Sequence, residues 1–166
     1  MEGPHHQRGI NSMSELLVVK DKVQRALSQV FTIVNVADNG YTVPYESTMC
    51  WVEFFEVTDP ESRAFRQELD LPTIIITFWA VVAADVRASD AMFKWVATEG
   101  QGYDYGAVKA LQRDDGLYNV LFQYNLAGES VDPMEIKNAL LSVCTTADEI
   151  DEEFVAKFGG RRFADT

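Results

Sequence analysis

TIIITFWAVVAADV, residues 73–86, decides how this chain folds. Its Ile, Val, Thr, Phe and Trp content favours extended backbone, because β-branched and aromatic side chains fit a pleated surface better than a helix. Apolar residues stand at nearly every position, so neither face has much to offer water. The segment is expected to be a long, heavily buried strand. Its stretch from Thr73 to Ala84 is also the longest mostly apolar run in the chain and too short to span a bilayer, which takes about 20 residues. No signal-peptide pattern opens the sequence, and a cytoplasmic location is expected.

Reading back toward the N-terminus, DPESRAFRQELDLP (59–72) is charged and bounded by Pro60 and Pro72. It reads as a surface connector with one or two helical turns around Ala64–Leu69. MCWVEFFEV (49–57) is a strand with apolar residues on both faces, which suits a central place in a sheet. FTIVNV, ADNG and YTVPYES together read as a hairpin over residues 32–46, with Pro44 at an edge position because it has no N–H to give a neighbour. Before it, Leu16, Val19, Val23, Leu27 and Val30 form one stripe of an amphipathic helix that begins at Ser14, a suitable N-cap. Residues 1–13 carry Gly, Pro and polar residues without periodicity and are expected to be a disordered leader.

Reading forward, Ser89 caps a helix over DAMFKWVATEG that stops at Gly100. Residues 106–126 give the clearest hairpin: GAVKALQR, the turn DDG, then LYNVLFQYNL. Asp115-Gly116 supplies the left-handed backbone that a tight turn demands. The last helix opens on Asp132-Pro133-Met134-Glu135, which unites a cap carboxylate, proline at the first helical position and an acid three residues beyond the cap. The domain is expected to run from 14 to 163 as one unit.

That last helix carries ADEIDEE, with five carboxylates between Asp148 and Glu153. At about 100° per residue, Ile136, Leu140, Val143, Ala147, Ile150, Phe154 and Phe158 fall within an arc of roughly 80°. The acids fan around the opposite side of the wheel. Like-charge neighbours at this spacing cost about 0.2–0.5 kcal/mol each, whereas each large stripe residue contributes roughly 1.5–3 kcal/mol on burial. Packing therefore decides the helix, and the acids read as its solvated face. Glu149, Glu152 and Glu153 are also the candidate docking patch for a basic partner. Fanned carboxylates do not converge on a metal, and no metal site is assigned.

The chain has 166 residues, 47% of them apolar, enough to bury a core in one domain. Its formal charge is −12, from 14 Lys and Arg against 26 Asp and Glu. A field of that sign repels nucleic acid, and the cations are scattered. Cys50 and Cys144 sit among apolar neighbours, as buried free thiols do. The only histidines, His5 and His6, lie in the leader, so no Ser-His-Asp or Cys-His arrangement is available. GQGYDYG lies between a helix and a strand, the wrong order for a phosphate cradle. No catalytic residue and no cofactor is assigned. A carboxylate-dependent hydrolase would require acids from separate elements to converge.

One surplus remains. Trp51 and Phe55 share a face of one strand, Phe78 and Trp79 point to opposite faces of the next, and Phe93, Trp95 and Val96 ride on the middle helix. A single helical layer does not hide aromatics on both sides of a sheet, so Trp51, Phe55, Trp79, Phe93, Trp95 and Val96 form the candidate face for a peptide or a second copy.

The pieces MFKWVATEG, YDYGAV, the DDG hairpin, LAGESVDPMEIKNAL and TADEIDEEFVAKFGGRRF, with the order α-β-β-β-α-β-β-α, resemble the YbjN-like relatives of type III secretion chaperones, peptide-binding chaperones of actinobacterial-type genomes. The resemblance covers residues 70 to 163 and extends to the N-terminal half by element order. It implies an α+β fold with an antiparallel sheet of about five strands backed by helices. It further implies a homodimer that holds an extended or partly folded client protein or peptide, without catalytic groups or cofactors. The alternative function is a structural or regulatory partner that works through its dimer or acidic helix face and holds no peptide.

Overall fold

The computed structural model describes residues 5–37 and 39–165, with side chains from Glu15 onward. The order is α1 (His5–Leu27), β1 (Asn35–Ala37), β2 (Gly40–Tyr45), β3 (Thr48–Glu56), α2 (Pro60–Glu68), β4 (Ile74–Val86), α3 (Asp90–Ala97), β5 (Ala107–Gln112), β6 (Tyr118–Ala127) and α4 (Pro133–Phe158). Short 3-10 helices follow α3, at Glu99–Gln101, and close the described chain at Phe163–Asp165. The fold is α+β, as expected, built on one antiparallel sheet in the order β1-β2-β3-β4-β6-β5.

The sheet has six strands where about five were expected, and a helix, α2, separates β3 from β4. The helix in the 59–72 connector is better defined than a turn or two because Asp59 caps it: its carboxylate accepts from the Ser62 N–H at 2.7 Å, with Pro60 at the first helical position. The extra strand, β1, has three residues, all exposed. It pairs only with Gly40–Thr42, so Pro44 lies beyond its reach with its ring side toward open edge.

The backbone of α1 is helical from His5, well before the Ser14 start read from the sequence; residues 1–4 lie outside the described residues, as do the side chains of His5 and His6. Val19, Val23 and Leu27 of its stripe are buried, whereas Val30 falls past the helix end and is exposed. Ser89 caps α3 by accepting from the Met92 N–H at 3.2 Å. Asp132 and Glu135 form the reciprocal box that opens α4: the Asp132 carboxylate accepts from the N–H groups of Met134 at 2.7 Å and Glu135 at 2.9 Å, and Glu135 accepts from Asp132 N–H at 2.9 Å.

β4 is the middle of the sheet, held by β3 on one side and β6 on the other. Strand alternation splits its side chains into two sets. Ile74, Ile76, Phe78, Ala80 and Val82 join Val43, Cys50, Val52, Phe54, Val108, Val120 and Phe122 in a core closed by Val19, Val23 and Leu27 of α1, Met92 of α3 and Ile136, Leu140, Val143 and Phe154 of α4. The helices that pack on the sheet, α1, α3 and α4, all pack on this side. Gln101 ties the helical layer to the outermost strand, its side-chain amide donating to the carbonyls of Val96 at 2.8 Å and Val108 at 3.0 Å.

Candidate functional site

The other side of the sheet carries the odd-numbered residues of β3, β4 and β6. Register places them in rows across the strands: Phe55 beside Ile75, Glu53 beside Thr77 and Asn125, and Trp51 beside Trp79 and Gln123. Because Trp51 and Trp79 stand directly opposite one another on neighbouring strands, their rings stack, 4.4 Å between centroids and 12° from parallel. A 360 Å³ depression opens beside them, lined by Phe55, Trp79, Leu111 and Leu121 with Glu53, Thr77, Asn119 and Gln123. Phe55 and Leu111 are each 49% exposed.

The polar groups here are partly spoken for. Asn125 Oδ1 accepts from Thr77 Oγ1 and from Gln123 Nε2, both at 2.9 Å. Asn119 Oδ1 is buried and has no hydrogen-bond partner among the described residues. Leaving a buried acceptor unmet costs about 1–3 kcal/mol.

The chain beyond α4 reaches the same face. Gly159 and Gly160 both take positive φ, 78° and 95°, and a Cβ on Gly160 would stand 2.6 Å from the Ala84 carbonyl oxygen. Arg161 then pairs with Ala84 through two backbone hydrogen bonds of 2.8 Å. The last β3–β4 pair toward the C-terminal end of β4 is Cys50 with Ala80, so the tail takes up β4 backbone that β3 does not reach. Phe163 follows, edge-on to Trp51 at 5.6 Å and 86°.

Asp85 fixes this passage. It sits at positive φ, 57°, where β4 shifts register against β6. Its carboxylate pairs with Arg161, whose Nε lies at 2.9 Å, and with Arg113 of the β5–β6 turn. The Arg161 hydrogen bond, more than the wider pull of both guanidiniums, holds the Asp85 carboxyl below its ordinary range.

The six aromatic and apolar residues singled out from sequence divide between the two sides. Trp51, Phe55 and Trp79 lie together on the helix-free face. Trp95 belongs to the helical layer, edge-on to Phe154 of α4 at 5.1 Å, with Phe158 at 6.1 Å. Phe93 packs edge-on to Tyr118 at 5.2 Å, and Val96 is half-buried on the same helix. What reunites a face is strand register, and Leu111, Leu121 and Asn119 were not found because no single strand's pattern shows which strand becomes its neighbour.

The acids of α4 fare unevenly. Glu149, Glu152 and Glu153 are exposed, with Glu152 accepting from Arg162 Nη1 at 2.6 Å. Asp148 accepts from the Ser47 hydroxyl. Asp151, assigned to the wet side by the helical wheel, is 7% exposed. The tail folds back beside it, and burial pushes its carboxyl above the ordinary aspartate value despite the nearby Arg162. Among the described residues, no three His, Cys, Asp or Glu side chains are grouped to hold a metal ion, and no helix is long and apolar enough to cross a membrane. Cys50 and Cys144 are both buried free thiols, and burial raises the Cys50 thiol well above its usual value.

Residues 18–166 match the family model described as T3SS (YopN, CesT) and YbjN peptide-binding chaperone 1, TY-Chap1. The chain belongs to the TY-Chap1 family. The match spans the sheet, the helical layer and the tail, beyond the 70–163 stretch that carried the resemblance in sequence. The TY-Chap1 chain is similar in structure to YbjN from E. coli, a crystal structure described as that of a suspected transcription regulator: TM-score 0.58, 10% identity, 83% of this chain and 93% of that chain covered. At such low identity this likeness shows the fold alone. A search of curated protein sequences found no match.

Proposed function

We propose that this TY-Chap1 chain is a non-enzymatic binding module that holds an extended apolar or amphipathic client segment on the helix-free face of its sheet, working in the cytoplasm as a homodimer. The observation that carries the reading is the stacked Trp51–Trp79 pair beside an open depression lined by the half-exposed Phe55 and Leu111. Large rings on rigid strands offer contact area with little loss of side-chain freedom, which is why tryptophan recurs where binding energy concentrates. An extended peptide laid on this face would place alternate side chains in the depression. Glu53 and Gln123, which line the depression, would meet its polar groups.

The test uses a Trp95→Phe variant, so that only Trp51 and Trp79 report. Titration with a synthetic peptide of alternating Leu and Ser with Lys at both ends is expected to shift and quench their emission, and a further Trp79→Ala change to weaken binding at least tenfold. An unchanged emission at saturating peptide would refute the reading. Binding of a protein partner that survives Trp79→Ala but is lost on neutralising Glu149, Glu152 and Glu153 would assign the function to the acidic helix face instead. Solution mass measured with and without peptide shows whether two copies assemble and whether the client competes with that assembly.

A further inference from the structure

We propose that the tail from Gly159 to Asp165 is a built-in strap that occupies the Trp51 end of the open face and must lift before a client fills it; this rests on the peptide-binding reading above. The tail already does, in miniature, what a client strand is asked to do. Its backbone pairs antiparallel with Ala84, where β4 runs on past its β3 partners. Two residues later Phe163 sets its ring edge-on against Trp51. An arriving extended segment that adds to the same stretch of β4 and lays an apolar side chain on the indoles needs both places.

The anchoring is of a kind that competition can undo. Among the described residues, the tail's strand pairing is one bridge of two backbone hydrogen bonds. The flanking ties to the body are ion pairs with exposed or partly exposed partners, Arg161 with Asp85 and Arg162 with Glu152; the pair of Arg162 with Asp165, Nε to Oδ2 at 3.0 Å, lies within the tail itself. Such pairs are individually weak and screened by salt. Phe163 itself remains half-buried. The paired glycines at 159 and 160 give the tail a pivot at the end of α4, because both already occupy backbone conformations that other residues rarely adopt.

The strap also describes what displaces it. Arg161 offers a cation to Asp85, and the aromatic residue stands two positions on. The displacing segment is therefore extended, with a basic residue toward Asp85 and an apolar or aromatic residue for Trp51. Since the face is available only in the fraction of molecules whose tail has lifted, the apparent dissociation constant is the intrinsic one divided by that fraction.

The decisive measurement compares the full chain with Phe163→Ala, both in the Trp95→Phe background, titrated with the Leu-Ser-Lys peptide. The strap predicts that Phe163→Ala tightens binding about three- to tenfold, as expected when a competing closed state is depopulated. Arg161→Gln, which leaves the rings intact and loosens only the anchor, is expected to act in the same direction. A peptide carrying Arg and Phe two residues apart is expected to bind more tightly than one with the Phe replaced by Ala. Affinity that is unchanged or weaker in both variants, while Trp79→Ala still abolishes binding, overturns the strap and leaves the binding face standing. No binding by wild type or by either variant overturns the reading itself, and the strap with it.

Discussion

Phe78 and Trp79 are neighbours on β4 with opposite fates. Phe78 points into the helical layer and is 0% exposed; Trp79 points to the other side, half-buried, shielded by Trp51 and by the sheet's own side chains. One face is finished by α1, α3 and α4, while among the described residues the aromatic and apolar groups of the other are covered by each other and by the tail. A fold that needed only stability would have put polar residues at these odd positions, as half-solvated antiparallel sheets commonly do. The difference separates what holds the molecule together from what it offers to others.

The comparison is tested most severely by substituting the two neighbours in turn. Phe78→Ala is expected to destabilise the fold by about 3–5 kcal/mol, through lost burial and the cavity left behind. Trp79→Ala should lose less, about 1–3 kcal/mol, because Trp79 is only partly buried and no helix packs over it. Urea unfolding of the two variants gives both numbers, and peptide titration should show the reverse ranking for binding. Equal losses of stability would mean that the open face is structural.

A smaller effect is expected at the start of α4. Asp132→Ala removes acceptors for the Met134 and Glu135 N–H groups and should lower stability by about 1 kcal/mol. Because the cap serves only the covered side, peptide affinity should stay at the wild-type value, and a parallel loss of binding would show that the two sides are coupled. Smaller again is Glu152→Gln. It removes one partner of a largely exposed pair with Arg162, and roughly 0–1 kcal/mol is expected in thermal or urea unfolding.

The subtlest effect is one of pH, at the point where the tail passes between the two sides. Asp85 has its carboxyl held below the ordinary value, so the folded state binds that proton less readily than the unfolded chain does. Its contribution is complete above the ordinary aspartate value and is lost as pH falls through the depressed one. In the Trp95→Phe background, acidification through that window should release Phe163 and alter Trp51 emission before the fold melts, and Asp85→Asn should remove the step. An identical acid transition in both proteins would separate Asp85 from the tail.

Much of this architecture was legible in the sequence. The β-branched run at 73–86 marked the central strand, Asp132 with Glu135 marked the start of α4, and Ser89 marked that of α3, since each rests on interactions within a few residues. The DDG turn was found for the same reason: Gly116 takes φ 83°, a backbone that glycine permits. The helix-free face was half legible. Alternation alone put Trp51 with Phe55 and separated Phe78 from Trp79, but which strands lie side by side is a tertiary fact. Trp95 illustrates the limit. Its helix could have lain over either face, and only contact with Phe154 assigns it to the covered one. Asp151 shows another, because a helical wheel knows nothing of the chain that later folds against it.

The amide of Gln101 has a consequence of a different sort. By donating to the Val108 carbonyl it consumes an acceptor on the rim strand, and Lys109, the next residue, adds a charge there. Rim strands with vacant acceptors invite neighbouring molecules to stack into fibrils, and an exposed charge that such stacking would bury deters them. A protein that displays greasy rings at working concentration has reason to keep its sheet from growing sideways, and this small clasp helps to close off that route to aggregation.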